Sequence, residues 1–147
     1  IKMASYIKEN GYNTAAEYKF YNKSFQQRFF IDILNVASKY GFTIYHKKKR
    51  LFNKKEKNFA YLNLINQLES KNYFYSIDPS YDINVLINDT TATISEAFTS
   101  VSYIAKSLDK NSIYYDPFNY IDKNDENRNG VTVVSGRSEL DQWFKSI

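Results

Sequence analysis

The sequence predicts an α/β domain in which a mostly parallel sheet carries helices on both faces. Two observations carry this. Short β-rich runs alternate with helical stretches of about ten residues, the pattern of βαβ units, whose right-handed crossovers place helices on both sides of a sheet. The chain also has 147 residues, 43% hydrophobic and 24% charged, which suits one ordinary domain with a real core rather than a disordered or fibrous chain.

The elements follow in order. A helix is expected over residues 24–40. Ser24 followed by Gln27 reads as a capping box, Phe25, Phe29, Ile33, Val36, Ala37 and Tyr40 recur at helical spacing, and Gly41 supplies the stop. Phe42, Thr43, Ile44 and Tyr45 form a short β-rich run leading into His46 and a basic cluster. A second helix is expected over residues 58–70, with Tyr61, Leu64, Ile65 and Leu68 on one face. Residues 73–77 read as a strand halted by Asp78 and Pro79.

Residues 82–108 allow two parses. One makes 83–87 a strand and 92–108 a long helix. The other makes 82–88 a short helix, 91–95 a strand and 101–108 a second short helix. Periodicity does not choose between them. Beyond them, Ser112, Ile113, Tyr114 and Tyr115 form a strand ended by Asp116 and Pro117. Residues 118–130 are a polar loop and 131–134 a last strand. Ser138 is expected to cap a closing helix, with Leu140, Trp143, Phe144 and Ile147 at i, i+3, i+4 and i+7.

Composition excludes several functions. There is no cysteine and one histidine, His46, so a disulfide framework and a Cys/His zinc site are ruled out. A nucleophile–histidine triad would have to use His46. Four glycines in all, with neither G-x-x-x-x-G-K-[ST] nor G-x-G-x-x-G, exclude the usual nucleotide loops. Asn127 stands where the calcium loop starting at Asp122 would need its sharp-turn glycine. No apolar run approaches the ~18–20 residues of a membrane span. The chain opens at Ile1 with no signal-peptide pattern, and is expected to be a piece of something longer.

Net charge is a mild +4, but Lys47, Lys48, Lys49, Arg50, Lys54, Lys55 and Lys57 crowd together against Glu56 alone. In open parallel sheets ligands sit outside the carboxyl ends of the strands. Three such ends carry unusual chemistry here: 46–50, 96–100 and 115–119. If a helix starts at Val101, the Thr99 and Ser100 hydroxyls join free backbone N–H groups in a place that favours phosphate or carboxylate. The plainer alternative is an ordinary N-cap worth about 1 kcal/mol. The run from Lys47 to Arg50 could neutralise a phosphate brought to the same edge, or simply form a solvated turn.

The ordered set of Phe98-Thr99-Ser100 and Ser112-Ile113-Tyr114-Tyr115-Asp116-Pro117 resembles the bacterial polysaccharide proteins named for a Pro-Phe-Thr-Ser motif, themselves similar to GT-B glycosyltransferases. Lys47-Lys48-Lys49-Arg50 is similar to that family's Lys-x-Lys-Arg strand end. Phe29-Phe30-Ile31-Asp32-Ile33 and the segment 136–143 match as well, so the resemblance covers about residues 22–144. It favours the second parse. Ala97 replaces the motif's proline and Asn111 the proline before the strand, while Asp109 stands where a glycine is expected. Ile104 occupies the place of the ribose-contacting glutamate of many GT-B donor domains.

The resemblance implies a Rossmann-like, GT-B-type donor lobe over residues 22–147, preceded by a truncated lead-in segment over 1–21. Its sheet is expected to lack the first central strand, because Tyr18 to Tyr21 is a poor substitute for one. It implies donor-phosphate binding by Lys47, Lys49, Arg50, Phe98, Thr99 and Ser100, and sugar or nucleoside contacts from Glu96, Tyr115 and Asp116. The substrate would be a nucleotide-activated sugar, with no metal and no other cofactor. An acceptor domain for a glycan would lie upstream, so the isolated lobe is expected to turn nothing over. The setting implied is the cytoplasm, at the inner face of a bacterial membrane. Two other readings stay open: a basic module for nucleic acid or another anionic polymer, and a structural lobe that has lost donor binding.

Overall fold

The computed structural model describes residues 23–47 and 59–147. In chain order the elements are α1 (Lys23–Lys39), β1 (Ile44–Lys47), α2 (Phe59–Glu69), β2 (Phe74–Ile77), α3 (Ile83–Asp89), β3 (Ala92–Ser95), α4 (Ser100–Ser107), β4 (Asn111–Asp116), a short 3-10 turn (Glu126–Arg128), β5 (Thr132–Ser135) and α5 (Gly136–Ser146). All strand pairing is parallel: β1 with β2 in one sheet, and β3–β4–β5 in a second with β4 central. This is the expected α/β, Rossmann-like arrangement.

Among the described residues the two sheets share no strand pairing, yet they share one core through α1. Phe30 packs edge-on against His46 of β1 at 5.0 Å and meets Phe74 of β2 at 6.3 Å, while Phe29 meets Tyr115 of β4 at 5.7 Å. The direction of α1 orients both sheets. Its first turn meets Phe118, just past the carboxyl end of β4, through Phe25. Its last turn hands over to Phe42, just ahead of β1. Strands of both sheets therefore run opposite to α1, and their carboxyl ends lie toward one edge.

Helices cover both faces of the three-stranded sheet. Tyr115 points to α1, where its hydroxyl donates to Asp32, whereas neighbouring Tyr114 points to α4, where its hydroxyl donates to the Thr99 carbonyl. Successive strand residues face opposite sides, so α1 and α4 lie on opposite faces. α5 joins the α1 side, with Phe144 stacked on Tyr40 and edge-on to Phe42.

The second parse of residues 82–108 is the observed one. Asp82 caps α3 by accepting from the Asn84 N–H at 2.7 Å, a signal that starts a helix where the other parse needs a strand. Three local expectations are corrected. Ser24 lies inside α1 and does not cap it. β1 starts at Ile44, two residues later than the β-rich run, because Gly41 at φ +75° turns the helix end and the Phe42 N–H returns to Ala37 at 2.9 Å. α5 starts at Gly136, so Ser135 occupies its N-cap position and Ser138 falls within the first turn. Gly136 at φ +74° makes this strand-to-helix corner without a loop.

Candidate functional site

The amino end of α4 is held to the sheet by a chain of serines. Ser95 of β3 meets Ser102 Oγ at 2.6 Å, Ser102 donates to the Ile113 carbonyl at 2.9 Å, and Ser112 donates to the Ser102 carbonyl at 2.9 Å. Ser102 and Ala105 are fully buried, and both are small enough to let the helix lie close on β3 and β4. Tyr114 adds its bond to the Thr99 carbonyl at 3.1 Å and packs against Phe98 at 5.6 Å. The Phe-Thr-Ser and Ser-Ile-Tyr-Tyr segments are thus two halves of one joint.

Thr99 is the N-cap residue of α4, in extended backbone at φ −76°, ψ 152°, but its side chain makes no capping bond. Its hydroxyl donates instead to the Glu96 carbonyl at 3.0 Å. No N-cap side chain satisfies the first-turn N–H groups, and these are the groups an anion takes at a helix start. Ser100, the first helical residue, is exposed. Glu96 precedes this turn at the end of β3. The residue is partly buried, and burial pushes its carboxyl up to about 7.

The other expected site residues divide. Lys47 ends β1, where its ammonium donates to the Pro79 carbonyl at 2.7 Å, in the turn after β2; it is engaged there and not at the start of α4. Lys49 and Arg50 lie outside the described residues, as does the rest of the basic run on which the anionic-polymer reading rests. Tyr115 and Asp116 are completely buried. Tyr115 donates to Asp32 Oδ2 at 2.6 Å, and burial and this bond together push its phenol well above the usual range. Arg28 reaches the same carboxylate oxygen at 3.2 Å. Asp116 accepts from the Ile121 N–H at 2.8 Å, which folds the following loop back over the strand end. Burial raises its carboxyl, and the backbone N–H groups around it work in the opposite direction.

Buried polar atoms with no hydrogen-bond partner among the described residues include Gln26 Oε1, Asp32 Oδ1, Asp116 Oδ1 and Ser135 Oγ. Asp116 and Ser135 are register partners at the carboxyl ends of β4 and β5, and Gln26 is in the first described turns of α1 at the same edge. Unsatisfied buried polar atoms are rare in folded proteins. Sequence reasoning did not single out Asp32 or Ser135 as buried polar groups at this edge. For Asp32 a signal existed, since a carboxylate stands on the apolar stripe of α1 between Phe29 and Val36.

Parallel strands with helices on both faces define a Rossmann-like α/β domain. A family model described as polysaccharide biosynthesis PFTS motif protein matches residues 6–144, and the chain belongs to that family. Its role lies in polysaccharide biosynthesis. No curated protein and no solved structure gives a match. No helix among the described residues is long and apolar enough to cross a membrane.

Proposed function

We propose that this chain is the donor-binding lobe of a nucleotide-sugar-dependent glycosyltransferase of polysaccharide biosynthesis. The observation that carries the proposal is the start of α4. It is fixed by Tyr114 and the Ser95–Ser102–Ser112 chain, and it leaves its first-turn N–H groups without a side-chain cap at the edge where such sheets bind ligands. In this reading the donor phosphate sits on the N–H groups of Ser100 and its neighbours, with the Ser100 hydroxyl adding a donor. As the bond to the sugar breaks, charge grows on the leaving phosphate, and preorganised N–H dipoles stabilise it without reorganising. Glu96, partly buried and with its carboxyl raised toward neutrality, in its protonated form offers a hydrogen bond to a sugar or nucleoside oxygen without repelling the phosphate. Tyr115 and Asp116 then act as positioning residues, Tyr115 by fixing α1 against β4 and Asp116 by shaping the loop over the strand end.

Ser100→Pro tests this directly. Proline is tolerated at the first helical position, and Thr99 already has the extended backbone a following proline requires. The variant removes one N–H and one hydroxyl while keeping the helix. CMP, UDP and GDP are each titrated in a thermal melt. A matched nucleotide at about 100 times its Kd adds about 2.7 kcal/mol, or roughly 5–10 °C for a chain of this size. The expected result is such a shift for one nucleotide in the wild type and its loss in Ser100→Pro at unchanged basal Tm. Failure of all three nucleotides to stabilise the wild type overturns the reading.

A further inference from the structure

A groove of about 520 Å3 runs along the outer side of β5, away from the α4 start, lined by Lys123, Arg128, Thr132, Glu139, Gln142 and Trp143 among others. Its size suits a small ligand. β5 is an edge strand of its sheet, so the first occupant to consider is a peptide strand. The edge is already blocked against one. The Ser135 N–H donates to Glu139 Oε2 at 2.8 Å, and Lys123 closes onto both oxygens of that carboxylate. A charged plug of this kind protects sheet edges.

What stays open is a different set of groups. Arg128 lines the groove, and its guanidinium has no hydrogen-bond or ion-pair partner among the described residues. It is held by a preorganised turn: Asp125 caps the 3-10 segment through the Asn127 N–H at 2.7 Å, Asn129 takes φ 48°, and the Val131 N–H returns to the Arg128 carbonyl at 2.9 Å. Opposite, Trp143 is braced edge-on by Phe144 at 5.1 Å and keeps part of its indole surface toward solvent. Gln142 and Thr132 are exposed and supply an amide and a hydroxyl. Since Lys123 and Glu139 neutralise one another, Arg128 leaves the groove with one uncompensated positive charge.

We propose that this groove binds an acidic sugar residue of a glycan, a pyranose ring carrying a carboxylate or a phosphate. The planar guanidinium pairs with the anionic group in two-bond geometry. The indole covers an apolar face of the ring, and the Gln142 amide and Thr132 hydroxyl meet its hydroxyl groups. The class of ligand follows from this combination together with the family's role in polysaccharide biosynthesis. The proposal stands apart from nucleotide binding at α4. It gives the domain a hold on the polymer in addition to any hold on a donor.

Trp143 is the single tryptophan of the chain, so its fluorescence reports on the groove. The protein is titrated with a hexuronate-containing oligosaccharide, a hexose phosphate, a neutral oligosaccharide of equal length and an acidic peptide. A saturable change is expected with at least one acidic sugar, with at least about tenfold weaker binding of the neutral one. Arg128→Ala should weaken acidic-sugar binding by about tenfold while the melting temperature and the response to the neutral sugar stay unchanged. A carboxylate preference separates the hexuronate from the phosphate as ligand. The proposal fails if no acidic sugar changes the signal, if neutral and acidic sugars bind alike, if Arg128→Ala has no effect, or if only the acidic peptide binds. Nucleotide-induced stabilisation is read in the separate melt with Ser100→Pro, so the two readings fail independently.

Discussion

Replacing Glu96 by glutamine should make the protein more stable near neutrality and leave it unchanged in acid. Burial raises the Glu96 carboxyl from 4.5 to about 7. Below about pH 4.5 the group is protonated in folded and unfolded chains alike, and nothing is lost. As pH climbs toward 7 the unfolded chain releases the proton while the native state keeps it, so stability falls; above about 7 the loss is complete. At about 1.4 kcal/mol per pH unit the full loss is about 3 kcal/mol. Glu96 keeps some solvent contact, which places the working value at about 1.5–3 kcal/mol. Glutamine fills the same space and does not titrate. Urea unfolding of both proteins between about pH 4 and 8, followed by Trp143 fluorescence, gives the difference in stability against pH. Asp78, Glu139 and Asp141 are held below the usual carboxylate range by Ser80, Lys123 and Lys39 respectively. Asp116 is raised by burial. All four are present in both proteins and cancel in the difference. The curve should rise in favour of Glu96→Gln through the window between 4.5 and 7. A flat difference refutes the burial of this carboxyl, and with it the neutral acid assigned to the donor site.

Tyr115→Phe removes the bond to the Asp32 carboxylate at the centre of the fold. A hydrogen bond to a charged group contributes about 1.5–3 kcal/mol, so the thermal midpoint should fall by roughly 3–12 °C, and a change below about 1 °C would deny the bond that role. Asp109 stands at φ 55°, the left-handed geometry that closes α4. Asp109→Gly should therefore raise stability by about 0.5–1 kcal/mol in urea unfolding, and a loss of stability would count against the strain.

The helices were legible wherever their apolar stripes were long. Phe25, Phe29, Ile33, Val36 and Ala37 all lie in the core, as do Leu140 and Phe144 of the closing helix. Residues 82–108 were not legible by periodicity, because Ile83, Val85 and Ile87 satisfy strand alternation while the segment folds as a helix. The deciding terms are side-chain hydrogen bonds, the Asp82 cap and the Ser102 contacts to β3 and β4, and an apolar count does not register them. The start of α4 was legible as a possible anion site. The burial of Tyr115 and Asp116 was not: a strand end followed by proline gives no indication of which side chains turn inward. The inward turn of Tyr115 depends on Asp32, eighty-three positions away in the chain.

That distance bears on how the site keeps its shape. Asp32 links α1 to β4, Tyr114 links β4 to the Thr99 carbonyl, and Ser102 links α4 back to β3 and β4. Two of these bonds tie α4 to β4, one ties it to β3, and the bond to Asp32 holds β4 from its other face, so the start of α4 is located from both faces of the sheet at once. Tyr114 and Tyr115 thus set the place of the α4 start from opposite faces of β4, Tyr114 directly and Tyr115 by tying β4 to α1.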